Sequence, residues 1–220
     1  MLALIISMIS FSLSMSISPG PVNLTILSSS MNYGVKPVLA FISGATFGFT
    51  LLLASVCFGL YQFIMIYPVL LNVISLLGTA LLVWIGFNIL MAKGERITGD
   101  ISSTEQSVSS EKSMTAQVPG FMQGALMQWL NPKAWIAAVA GTALFSASQN
   151  PKILVLFILI YFVVCYLSLW IWGVAGELLA AFLNTGHRAR IFNIVMGLVL
   201  IVISLHMCWT HFYGQNSPYN

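Results

Sequence analysis

The chain has 220 residues, of which 59% are hydrophobic and 6% charged, with a formal net charge of +3 and a mean hydropathy of +0.95. Soluble domains carry about 25% charged residues. This is therefore the composition of an integral membrane protein, with room for about six crossings at roughly 20 apolar residues each and none for a separate soluble domain. The cations lie in short connections rather than in a patch, which excludes a nucleic-acid partner.

The first apolar stretch, Met1 to Ser28, has no basic leader and no small-residue cleavage site, so it reads as a retained helix. It is broken at Ser18-Pro19-Gly20-Pro21-Val22-Asn23. Proline removes an N–H donor and clashes with the turn before it, and hydrocarbon offers the freed groups no partner. Such a break survives only where protein or trapped water covers it, and it usually marks a binding site. The other reading is a capping turn at the membrane surface.

The second stretch, Val38 to Phe63, has Gly44 and Gly48 four apart on one face, as Gly120 and Gly124 are further on. Small residues at this spacing let helix backbones approach, so these four are candidate packing positions. The third stretch runs from Tyr67 to Met91. Residues 92–118 then change character, with six serines and interspersed charges of both signs, a composition that buries nothing and predicts a mobile cytoplasmic loop. It separates a first three-helix half, 1–91, from a second, 119–220.

The fourth stretch, Pro119 to Ser146, is broken at Leu130-Asn131-Pro132-Lys133. Ala134 to Ala147 would rise only about 21 Å, short of a core of roughly 30 Å, so residues 121–130 must add depth and Lys133 must lie below the surface. A lysine there is costly unless it is paired, wetted or deprotonated. That makes it a candidate carboxylate ligand or coupled proton site; the alternative is snorkelling from a surface turn. Asn23 and Asn131, each beside a break, either bond substrate through their amides or cap their own half-helices.

The fifth and sixth stretches are Ile153 to Leu183 and Ile191 to Tyr213, with turns at 150–152 and 184–188. Glu177 is the one carboxylate outside the 92–118 loop. It is a coupling candidate, although its place late in the fifth stretch suits an ion pair with Arg188 or Arg190. His206 is a weaker proton-relay candidate, and Asn193 is equally open. Tyr61, Tyr67, Trp170, Trp172, Trp209 and Tyr213 read as interface anchors or lipid-facing bulk rather than substrate contacts. Cys57, Cys165 and Cys208 stand singly, without metal-ligand spacing or a CxxC pair, so neither a metal nor any other cofactor is expected.

Three crossings per half turn the second half over, so an inverted repeat is expected, with the interrupted first and fourth helices meeting at a midplane site. Lys36, Lys93, Arg96, Lys112, Arg188 and Arg190 fall on one side and Lys152 on the other. Short cytoplasmic loops hold the excess, which places both termini outside the cytoplasm. A zwitterion suits the broken helices: N–H groups after Pro21 for its carboxylate, carbonyls before Pro19 for its ammonium.

Ser18-Pro19-Gly20-Pro21-Val22-Asn23, Gly34-Val35-Lys36-Pro37, Gly44-Ala45-Thr46-Phe47-Gly48-Phe49, Leu77-Gly78 with Val83-Trp84-Ile85-Gly86, and Gly120 followed by Asn131-Pro132-Lys133-Ala134 resemble the LysE/RhtB family of amino-acid exporters over nearly the whole chain. The resemblance implies a transporter rather than an enzyme. Many relatives have an acidic residue where Phe49 stands, and in that feature the chain is similar to the cysteine and O-acetylserine exporter branch. The expectation is an all-helical carrier of six crossings, built as 3+3 in the inner membrane. It would export a small amino acid or derivative by proton antiport, through Ser18, Pro19, Gly20, Pro21, Asn23, Asn131, Pro132 and Lys133, and a homo-oligomer is compatible with it. The alternatives are a membrane thiol-disulfide electron carrier, which would need paired cysteines, and a non-transporting scaffold subunit.

Overall fold

The computed structural model describes residues 1–60, 69–91, 118–145, 150–182 and 186–214; the expected 92–118 loop falls, but for Val118, outside them. Among these residues there are eight α-helices and no strand. In chain order they are α1 (Leu2–Ile17), α2 (Pro21–Tyr33), α3 (Val35–Ser55, running into a π turn at Val56–Leu60), α4 (Val69–Met91), α5 (Phe121–Trp129), α6 (Pro132–Phe145), α7 (Pro151–Phe182) and α8 (Gly186–Gly214).

Val35–Gly59, Pro151–Ala181 and Arg190–Thr210 are long and apolar enough to cross a bilayer, and α1 with α2, bent by 61°, forms a fourth such unit. Ser75–Met91 and α6 are shorter apolar helices. The surface is apolar in keeping with this: Leu51, Trp84, Ile136, Leu159, Val202 and Trp209 all point outward. Side chains of this kind, spread over several helices, suit contact with lipid.

The polypeptide after the first break is longer than its sequence suggests. Pro21 occupies the first position of α2, where the missing N–H costs nothing, and the helix then runs 13 residues, 11 of them buried. It stops at Gly34, whose φ of 81° favours glycine and whose N–H donates to Ser30 O at 2.8 Å. α3 starts at once, so Lys36 lies in its first turn rather than in a loop. Pro37 is tolerated there because first-turn N–H groups have no intrahelical acceptor. α8 likewise begins at Gly186 and takes in positions 187–190, which are compatible with helix.

The main core lies around α3 and α7, with Phe41, Leu52, Phe157 and Leu169 packed against Met8 of α1, Ile26 of α2 and Ala138 of α6. A smaller one joins α2, α4 and α8 through Leu24, Ile89, Met196 and Leu200. Gly44, Gly48 and Gly124 stand where α3 and α5 touch. A Cβ on Gly44 would strike the backbone of Phe121, one on Gly48 would come within 2.6 Å of Ala125 Cα, and one on Gly124 would meet the backbone of Phe41 and Ala45. Gly120 does not share that contact: it precedes α5 with open space around it, its N–H donating to Gln123 Oε1 at 2.9 Å.

Candidate functional site

The first break is built by subtraction. Pro19 and Pro21 carry no N–H, so the carbonyls of Met15 and Ile17, four residues earlier, lose their helical donors. Side chains replace them: Ser18 Oγ donates to Met15 O at 3.3 Å, and Trp172 Nε1, from α7, donates to Ile17 O at 3.1 Å. Asn23 Nδ2 reaches back to Ser16 O at 2.9 Å and Ser18 O at 3.0 Å. Asn23 therefore closes the end of α1 rather than the start of its own helix. Leu24 N–H is the first of α2 to bond within the helix, to Gly20 O at 2.9 Å, and the N–H groups of Val22 and Asn23 have no acceptor inside it.

The second break has the opposite arrangement. Asn131 caps its own helix: its Oδ1 accepts Lys133 N–H at 3.1 Å and its carbonyl accepts Ala134 N–H at 2.9 Å. Trp135 Nε1 donates to Trp129 O at 2.6 Å, tying the end of α5 to the start of α6.

The two breaks touch. Lys133 Nζ donates to Ser18 O at 2.6 Å, joining positions 115 residues apart. Gly20 makes room, since a Cβ there would lie 3.2 Å from both Cδ and Nζ of the lysine. A charge-assisted bond this short partners an ammonium that would otherwise be unmatched.

Around this junction lies a cavity of about 40 Å³, room for about three waters at roughly 10–15 Å³ each. Its lining combines polar groups, from Ser16, Asn23, Gln128, Asn131, Lys133, Tyr161 and Cys165, with Met15, Gly20, Val22, Phe49, Ala134, Ala137 and Leu169. Among the described residues, Lys133 is the one charged residue lining it. Phe49 stacks on Tyr161 with ring centroids 4.5 Å apart and planes at 30°. The first turns of α2 and α6 both open here, so two positive helix ends and one ammonium converge, a setting suited to a carboxylate.

Of the residues singled out in the sequence, Gly20, Asn23, Asn131 and Lys133 line the cavity, and Ser18 does not but accepts the Lys133 bond through its carbonyl. Pro19, Pro21 and Pro132 shape the backbone without lining it. The carbonyls of residues 15–18, expected to face a substrate ammonium, are already engaged by the protein's own donors, Lys133 among them. Glu177 lies elsewhere: its Oε2 takes a long bond of 3.4 Å from Val35 N–H at the start of α3. Arg190, expected beside it, donates to Met91 O at 3.0 Å. His206 is exposed on α8 and away from the cavity.

Sequence reasoning missed Ser16, Gln128, Tyr161, Cys165 and Trp172. The available signal was a polar residue one helical turn before the first break, and a tyrosine and a cysteine four apart, hence on one face of α7. Asn32 of α2 was missed as well. It exchanges two hydrogen bonds with Asn193 of α8, at 3.1 and 3.0 Å, in a fully packed interface.

Helices long and apolar enough for a bilayer and an outward apolar surface point to an integral membrane protein, with a polar cavity where two helix breaks meet. The chain belongs to the LysE type translocator family, whose model matches residues 13–210. It is thus a transport protein at family level, which does not support the electron-carrier or scaffold alternatives. Neither a curated protein nor a solved structure matches it.

Proposed function

We propose that this translocator is a secondary carrier that exports a small amino acid or amino-acid derivative across the cell (inner) membrane, in exchange for protons. The observation that carries the reading is the Lys133–Ser18 bond at the meeting of the two breaks. A zwitterion needs dipoles or charges of both signs to replace its lost hydration. Here one movement supplies both. When the substrate carboxylate draws the Lys133 ammonium away from Ser18 O, that carbonyl keeps its bond from Asn23 Nδ2 and regains one acceptor site for the substrate ammonium. The same swing enlarges a cavity that otherwise holds only about three waters. Lys133 can also lose its proton in the cycle, which would link export to the proton gradient.

Six crossings in a 3+3 inverted arrangement fit the packing. α3 contacts α5 and α6, the two parts of the broken fourth crossing, and α7 contacts α1 and α2, the two parts of the first; α3 packs on α7, and α4 on α8. Exchanging the halves maps each of these contacts onto another or onto itself, as a twofold axis in the membrane plane requires. The lysine and arginine distribution favours termini outside the cytoplasm.

The test is flux from liposomes loaded with labelled amino acids, with and without an imposed pH gradient. Lys133→Ala should insert normally yet lose flux by roughly ten- to a hundredfold, the worth of a charged hydrogen bond. Normal flux in that variant removes Lys133 from the site, and no saturable flux from the unmodified protein refutes transport of these substrates.

A further inference from the structure

We infer that Asn23 and Asn131 fix the direction in which a zwitterionic amino acid lies across the two breaks: Asn131 Nδ2 takes its carboxylate and Asn23 Oδ1 its ammonium. The inference rests on the amino-acid reading above and goes further by assigning each charged end of the substrate to one break and one half of an amide.

A side-chain amide carries a donor and an acceptor, so the half that reaches a ligand is the half the protein does not hold. At Asn23 both Nδ2 hydrogens are held, by Ser16 O at 2.9 Å and Ser18 O at 3.0 Å, and Oδ1 accepts no hydrogen bond among the described residues. At Asn131 the other half is held: Oδ1 accepts Lys133 N–H at 3.1 Å, and Nδ2 donates no hydrogen bond among the described residues. Neither amide can turn over. Backbone carbonyls only accept and backbone N–H groups only donate, so a flipped Asn23 would set oxygen against oxygen and a flipped Asn131 hydrogen against hydrogen.

Both side chains are more than nine-tenths buried, at 5% and 4% exposure, and both line the cavity. Asn23 Oδ1 and Asn131 Nδ2 are not sealed off as the partnerless hydroxyls of Ser12 and Ser75 are, so they keep open surface, and the open space these residues line is the cavity. An amide half left unpaired in such a place costs stability, and a ligand group that pairs with it recovers that cost on binding.

The neighbouring groups agree with the assignment. Lys133, in the first turn of the helix that Asn131 caps, adds a cation for the carboxylate, and Ser18 O adds a second acceptor for the ammonium once the lysine moves. The expectation from sequence put the carboxylate at the start of α2. Asn23 Oδ1 sets a partial negative charge there, which favours the start of α6 instead. Gln128, the third amide of the lining, is 7% exposed, and its side chain makes no hydrogen bond among the described residues. With neither half held it can present either one, so it sets no direction.

The test measures flux in proteoliposomes containing the full chain, with L-alanine and L-serine each labelled in three forms: the free amino acid, a zwitterion; its carboxamide, a cation; and its N-acetyl derivative, an anion. Asn131→Asp keeps the cap of α6, because aspartate caps as well as asparagine, but replaces the Nδ2 donor with a negative charge. It should lose flux of the free amino acid by roughly ten- to a hundredfold, the worth of a charged hydrogen bond, and move the carboxamide in preference to it, while the N-acetyl form gains nothing. Asn131→Ser, which also caps, removes the donor without adding a charge and should lower flux of the free amino acid by about tenfold without creating a carboxamide preference. Unchanged selectivity in both variants overturns the inference. Stronger flux of the free amino acid in Asn131→Asp does so too, because it would put the ammonium at Asn131. If the unmodified protein moves none of the six compounds, the amino-acid reading beneath the inference fails instead.

Discussion

Two missing hydrogen atoms organise the first break. Without N–H groups at Pro19 and Pro21, the carbonyls of Met15 and Ile17 must find donors outside the helix ladder, and Ser18 Oγ and Trp172 Nε1 are those donors. Trp172 was expected among the interface anchors. Its indole N–H instead ties α7 to the end of α1. Trp172→Phe keeps the aromatic bulk and removes the donor, so it should lower stability by about 1–2 kcal/mol, or roughly 2–8 °C of melting temperature for a chain of this size. Trp170→Phe, two residues away on an exposed face, should stay within about 0.5 kcal/mol. Equal melting temperatures for the two variants, measured in the same detergent, would show that the indole bond contributes nothing.

At the scale of elements, the α3–α5 contact separates glycines that look alike in sequence. Gly124 faces the backbone of Phe41 and Ala45, which cannot give way as a flexible side chain would, whereas Gly120 faces open space. Gly124→Ala should therefore push α5 off α3 and destabilise by about 1–3 kcal/mol. Gly120→Ser should be neutral, because serine is a good residue at a helix start. Thermal unfolding of both variants checks this, and an unaffected Gly124→Ala would mean that the helices do not lie backbone to backbone. α2 shows a second element-level effect. It is buried yet contains Asn23, Thr25, Ser28, Ser29, Ser30 and Asn32, so its place in the bundle is set by polar partners such as Asn193 as much as by apolar contact. An amide pair of this kind is worth about 0.6 kcal/mol between membrane helices, enough to fix register while remaining breakable.

For the whole molecule, the outward face is apolar on nearly every helix, and cations mark the ends. Lys152 at the start of α7 and Arg188 at the start of α8 are both exposed, one at each end of the same crossing. If both termini lie outside the cytoplasm, Lys152→Cys should react with a membrane-impermeant thiol reagent in intact cells, and Arg188→Cys only after the cells are permeabilised. The unmodified protein, with Cys57, Cys165 and Cys208, sets the background. The reverse labelling pattern would invert the proposed orientation and turn export into import for the same gradient.

The amino-acid sequence by itself determined the solvent, the helical class and the two places where helices stop. Each of these follows from properties a residue carries anywhere: an apolar side chain prefers lipid, and proline lacks its N–H whatever surrounds it. It also singled out Lys133, because an ammonium among apolar neighbours is costly in any fold. The sequence did not disclose what answers those needs. Ser18 O meets an ammonium 115 residues away and Ile17 O an indole 155 residues away, while Ser16, Tyr161 and Cys165 line the same cavity only because α1 packs on α7. Only the tertiary structure decided these pairings, because a hydrogen bond depends on distances of tenths of an ångström, which helix packing sets and local sequence does not.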